Sequence, residues 1–148
     1  RIAHSYDGGF TWDRWEKSTP DELLETPAED LQHRGSGRVV NGRYNKPSPG
    51  SVVALPNGKV LITFGYRAYP FGIRAICSHD GGSKFDVKRE YILSDTAYST
   101  DCGYPSTVCF EDGLIVTVGY SIQDIEHPEW GTCCIAYCYR QEVFEYVG

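Results

Sequence analysis

The stretch SYDGGFTW fills residues 5–12, and SHDGGSKF returns at residues 78–85. Each copy writes Ser-x-Asp-Gly-Gly and, after two more residues, an aromatic ring. A recurring unit is read first because it decides the architecture. The aspartate of such a stretch can accept hydrogen bonds from backbone N–H groups further along the turn, and glycine supplies positive φ. Asp7 and Asp80 are therefore expected to form turns rather than act as acids. The ring after each turn is expected to start the next strand and pack between sheets.

Strand signals surround the second copy. SVVALP (51–56) and KVLITFGY (59–66) flank Asn57-Gly58, a strong hairpin turn. GIRAICS (72–78), the second Asp-Gly-Gly turn and FDVKREYIL (85–93) complete a predicted four-stranded antiparallel meander. The pattern restarts at YPSTVCF (104–110), turns at Glu111-Asp112-Gly113, and runs on in LIVTVGY (114–120) and TCCIAYCYR (132–140). EVFEYV (142–147) is expected to add a fourth strand. Residues 1–15 read as the last two strands of an earlier unit. Residues 16–49 read as a polar surface insertion, with a short helix expected within 20–34.

Bulk properties narrow the function classes. The chain has 148 residues, 14 basic and 20 acidic side chains, and a formal charge of -6. That length suits one domain with an ordinary core. The acidic balance argues against nucleic acid as the main partner, because phosphate backbones draw clustered Lys and Arg. There is no apolar run of about 18 residues, so no membrane span is expected. The chain opens at Arg1 inside an expected strand, so upstream sequence is expected, and compartment stays unassigned. The six cysteines, Cys77 to Cys138, form no CxxC pair. Buried free thiols are the expected state, with disulfides as the alternative. No residue cluster calls for a metal, and no cofactor is implied.

The repeated octad resembles the Asp box, Ser-x-Asp-x-Gly-x-Thr-Trp, of sialidases and related bacterial neuraminidase repeat (BNR) proteins. The first copy matches at Ser5, Asp7, Gly9, Thr11 and Trp12. The second matches at Ser78, Asp80 and Gly82, with Phe85 in place of Trp. PFGIRAICSHDGG and DCGYPSTVCFEDGLIVTVGY also look like later blades of sialidase homologues, and CIAYCYR resembles a closing strand. The resemblance implies an all-β fold, a six-bladed β-propeller of four-stranded blades. This chain would then be a partial propeller: the end of one blade (1–15), the insertion (16–49), a complete blade (50–93) and a further blade (104–147). At about 40–50 residues per blade it cannot close a ring alone. Missing blades or self-association would complete it.

The meander assigns the faces. The Asp-box turns share one end with Asn57-Gly58 and Glu111-Asp112-Gly113. The opposite end receives 65–73, 94–103, 120–131 and the insertion, and these loops carry the groups a sugar-acid site needs. The resemblance implies arginines that hold the substrate carboxylate, a Tyr paired with a Glu that attacks the anomeric carbon, and an Asp acid/base. Arg67 and Arg74 are the candidates for carboxylate or hydroxyl binding, since a planar fork meets a carboxylate bidentately. Tyr66, Tyr104 and Glu126 are further substrate-binding candidates. Asp101 and Tyr120 are the catalytic candidates, as acid or hydroxyl acceptor and as nucleophile; a tyrosine nucleophile departs from the usual two-carboxylate pattern.

The expected function is thus a sialidase-like glycoside hydrolase acting on terminal sugar acids of glycans, present as its C-terminal part. The Arg-Ile-Pro motif of the first sialidase blade is absent, so this chain alone is expected to be inactive. A non-catalytic BNR propeller binding glycans or proteins is the alternative. A polysaccharide lyase on the same fold, with Tyr and His as base and acid, is the third reading.

Overall fold

The computed structural model describes residues 5–12, 39–40, 43–44, 49–67, 69–86, 88–122, 126–127, 129 and 131–145. Their fold is all-β, dominated by two antiparallel sheets. The first sheet joins β3 (Gly50–Ala54), β4 (Val60–Tyr66), β5 (Gly72–Ser78) and β6 (Tyr91–Ser94) in chain order. The second joins β7 (Gly103–Cys109), β8 (Leu114–Ser121) and β9 (Cys133–Arg140), again in order. A two-residue ribbon, β1 (Val39–Val40) with β2 (Arg43–Tyr44), lies in the segment expected to hold no strand. The helix expected within 20–34 lies outside the described residues.

Both boxes fold as the same turn. Ser5 Oγ donates to Asp7 Oδ1 at 2.9 Å and accepts from Gly9 N at 2.7 Å; Ser78 Oγ donates to Asp80 Oδ1 and accepts from Gly82 N at 2.7 and 2.8 Å. Each aspartate then takes the N–H four residues on, Thr11 or Lys84, at 2.9 Å. The paired glycines have φ of 76° and 96° in the first turn, 71° and 97° in the second. Only glycine enters that region freely, so the doubled Gly is a geometric demand of the turn. Both carboxylates point into their own turns. Phe85 packs on Ile62, Phe64 and Ile76, whereas Tyr6, Phe10 and Trp12 of the first copy are exposed.

The two sheets meet in a seam. Its apolar end gathers Leu55, Leu61, Ala75, Cys77, Ile115 and Phe144. Each of the large side chains among them contributes roughly 1.5–3 kcal/mol by leaving water. A line of hydroxyls continues the seam: Thr63 to Thr107 at 2.7 Å, Thr107 to Thr117 at 3.0 Å, and Thr117 to Tyr139 at 2.7 Å. Every hydroxyl there has a partner, so the polar line is not left unsatisfied.

Three expectations are corrected. Residues 142–147 alternate like a strand, but Gln141–Phe144 is a turn of 3-10 helix. Gln141 N donates to Gly113 O and Lys59 Nζ to Phe144 O, while the Phe144 ring enters the seam against Tyr91 and Tyr139. Burial of that ring outweighs one more row of ladder bonds, and the second sheet has three strands among the described residues. The strand expected over 85–93 is confined to Tyr91–Ser94, because Asp86 N to Cys77 O and Arg89 N to Asp86 O hold the preceding residues in a turn. All six cysteines are free, but Cys133, Cys134 and Cys138 are exposed rather than buried. They lie on β9, at the margin of its sheet.

Candidate functional site

At the end opposite the Asp boxes, three loops converge. Ala97 N donates to Phe71 O at 3.1 Å, and Tyr98 N to Ile122 O at 3.0 Å. These bonds tie together the loops after β4, after β6 and after β8. Phe71, Ala97 and Cys102 form a small buried cluster beneath them. Cys102 Sγ approaches Tyr66 O and Gly72 O at 3.9 and 3.8 Å, and burial pushes its thiol up to about 11. It is a packing residue, a buried free thiol of the kind the sequence led one to expect.

The first strand of the second sheet starts hard against the first sheet. A Cβ added to Gly103 would lie 2.7 Å from the Gly65 Cα, and Gly103 has φ 106°. This approach of backbones requires glycine at 103 and fixes where β7 begins. Tyr104 also has positive φ, 46°, unusual for a non-glycine residue, and the β7–β8 register slips between Gly103 and Ser106. The slip is the kind of irregularity that re-aims a side chain at a strand end.

Four predicted residues meet here. Tyr120 Oη donates to Asp101 Oδ1 at 2.6 Å. The Tyr104 ring lies 5.6 Å from the Tyr120 ring, tilted by 40°. The Arg67 guanidinium sits over the Tyr104 ring, 5.3 Å from its centroid. Arg67 is only 6% exposed; its Nη2 donates to Cys102 O at a long 3.5 Å, and its Nε is buried with no acceptor. A buried guanidinium N–H without an acceptor is costly, and Arg67 keeps this donor unused. Partial burial, then the hydrogen bond and charge of Asp101, push the Tyr120 phenol up to about 12. At neutral pH Tyr120 is a protonated donor.

Arg74 is placed elsewhere. It pairs with Phe64 in the β4–β5 ladder and so shares the face of the first sheet that carries Ile62 and Phe64. Its guanidinium lies 4.6 Å over the Tyr66 ring, donates to Ser94 O at 2.6 Å and to Pro70 O at 3.2 Å, and stands 3.8 Å from Glu90. Glu90 is shifted upward by burial, with Arg74 opposing the shift. Arg74 and Tyr66 thus form a strut that ties the loop after β4 to the end of β6. A register shift between Ile73 and Arg74 turns the side chain to that task. Glu126 is exposed in the loop between β8 and β9, where His127 Nδ1 lies 3.1 Å from Glu129 Oε1.

Comparisons with known proteins add the fold alone. No family model matches the chain, and no curated protein matches it. Among solved structures, it is similar to a protein of unknown function from Dyadobacter fermentans DSM 18053, with 27% identity and a TM-score of 0.53. The similarity covers 80% of this chain and 26% of that one, so the chain spans about a quarter of its structural relative.

Proposed function

We propose that this chain is part of a sialidase-like β-propeller and carries a site for a terminal sugar acid at Arg67, Asp101, Tyr104 and Tyr120. The observation that carries the reading is the 2.6 Å bond from Tyr120 to Asp101 beside an arginine whose buried Nε lacks an acceptor. Paired Asp-box turns and two meanders packed face to face support the propeller. A tyrosine bound to a carboxylate supports glycoside chemistry. Asp101 takes the phenolic proton as Tyr120 Oη bonds to the anomeric carbon, and the bond to the leaving oxygen breaks. That oxygen needs a proton from an acid outside these four residues. Water then bonds to the anomeric carbon and gives a proton to the group that protonated the leaving oxygen, while the bond to Tyr120 Oη breaks and Asp101 returns the phenolic proton.

A non-catalytic glycan-binding module is the second reading, favoured by the Tyr120 phenol at about 12. A phenol that resists ionisation is a good hydrogen-bond donor before it is a nucleophile. Turnover of a fluorogenic sialoside separates the two. Under the hydrolase reading Asp101→Asn lowers kcat by roughly 10²–10⁴-fold, the usual contribution of a general base. Binding of free sialic acid that depends on Arg67, with no turnover in a longer protein containing this chain, selects the binding module. Neither turnover nor binding removes both.

A further inference from the structure

We propose that Tyr104 is a strained aromatic shutter over Arg67, holding the guanidinium away from solvent until an anionic group on a ligand displaces the ring. The inference rests on the reading of Arg67 as the anion site and concerns how that site opens.

Two neighbours are each in an unfavourable state. Tyr104 occupies φ 46°, a region L residues enter only against the contact of Cβ with the backbone. Arg67 keeps a buried Nε with no acceptor. Swinging the Tyr104 ring outward about its side-chain bonds opens the guanidinium to an acceptor, while the backbone strain stays with the main chain that sets φ. Strain at a ligand site persists only where the surroundings hold it, and here the holders are visible. They are the 5.3 Å contact with the cation, the 5.6 Å contact with Tyr120, and the slipped register that starts at Gly103. Tyr104 is itself 56% exposed, so solvent lies outside the ring and the buried arginine inside it. No core packing has to be undone for the ring to move.

The occupant implied by the donor is a carboxylate or another small oxyanion, which meets a planar guanidinium through paired oxygens. Because only the open state binds, the apparent affinity is reduced by the fraction of molecules that are open. Removing the ring therefore strengthens binding, which is the opposite of what a stacking platform would show.

The test uses the full chain with free sialic acid as probe, measured by calorimetry and by rapid-mixing kinetics. Tyr104→Phe keeps the ring and is expected to bind no more tightly than the parent. Tyr104→Gly suits φ 46° and is expected to keep the thermal midpoint, speed association and tighten binding by at least about threefold, as for a site closed two-thirds of the time. Arg67→Gln is expected to abolish binding in both backgrounds. Binding that weakens or stays unchanged in Tyr104→Gly, with Arg67→Gln still abolishing it, overturns the shutter and leaves the anion site standing. Binding that survives Arg67→Gln, or that is absent from the parent and Tyr104→Gly alike, overturns the anion site and the shutter with it.

Discussion

Backbone N–H groups and a serine hydroxyl converge on the Asp80 carboxylate, while the Asp101 carboxylate receives a phenol from another strand. Each ring of donors defines what its residue can do. The Lys84 N–H and then the Ser78 hydroxyl hold the Asp80 carboxyl below its usual range. The Thr11 hydroxyl and N–H hold Asp7 down from 3.8 to about 2. A carboxylate with a depressed folded pKa stabilises the fold above its unfolded value. That contribution is lost as the pH falls from about 4 to about 2. The Asp7→Asn, Asp80→Asn variant is therefore expected to show a shallower fall of thermal midpoint across that interval than the parent; an equally steep fall would mean the acid limb belongs to other groups. Tyr120 has the opposite sign. Its raised pKa favours the phenol, so its contribution is complete below the unfolded value and disappears as the pH climbs toward about 12. Asp101→Asn removes the charge that helps raise it, and the phenolate absorbance assigned by difference from Tyr120→Phe is expected to appear at lower pH. The type and place of Asp101 and Tyr120 were legible in the sequence. Their pairing was not, because the β7–β8 ladder sets Gly103 opposite Tyr120 only through the register shift between Gly103 and Ser106.

At the scale of elements, two pieces are defined by burial rather than by pattern. EVFEYV alternates as a strand should, yet Gln141–Phe144 coils because the Phe144 ring fills the seam, 4.6 Å from Tyr91 and 5.9 Å from Tyr139. Period-two patterning cannot see a cavity waiting across a sheet interface. Phe144→Ala is expected to cost about 3–5 kcal/mol, read from denaturant unfolding, as a cavity in a fully buried position does. Arg74 was legible as an arginine on β5 at the working end of the sheet, but its employment was not. Its guanidinium is held by two carbonyls, a ring and Glu90. Arg74→Ala leaves the Ser94 and Pro70 carbonyls short of a donor and is expected to cost about 2–3 kcal/mol, the range for hydrogen bonds to a charged group. The loss should appear in stability whether or not a ligand is present. A variant as stable as the parent, with ligand binding weakened, would return Arg74 to the binding residues.

Across the whole molecule, the hairpins and the all-β class were readable because Asn-Gly, Asp-Gly-Gly and alternation are local signals. Which faces end up covered is not local. The central strands of the first sheet are buried on both sides, with β5 buried throughout. The second sheet turns Thr107, Ile115, Thr117 and Tyr139 into the seam and leaves the opposite face open. Val108 and Val118 there are 48% and 42% exposed, and Phe110, Cys134, Ala136 and Cys138 are exposed as well. An open apolar face of that kind is rare on a monomer's surface and is expected to act as an interface. No acidic residue occupies those strand positions, so the net charge of -6 offers little repulsion at this face. The isolated chain is thus expected to associate through it as its concentration rises. The Val108→Lys, Val118→Lys variant, with its new charges standing in water, should keep the parent's thermal midpoint to within about 2–4 °C. Sedimentation over a concentration series is expected to show the parent growing in mass and the variant remaining a monomer. If the parent stays monomeric throughout, the face is tolerated in water. If the variant unfolds as a core substitution would, Val108 and Val118 are covered within the chain itself, and the second sheet is a middle layer rather than an end.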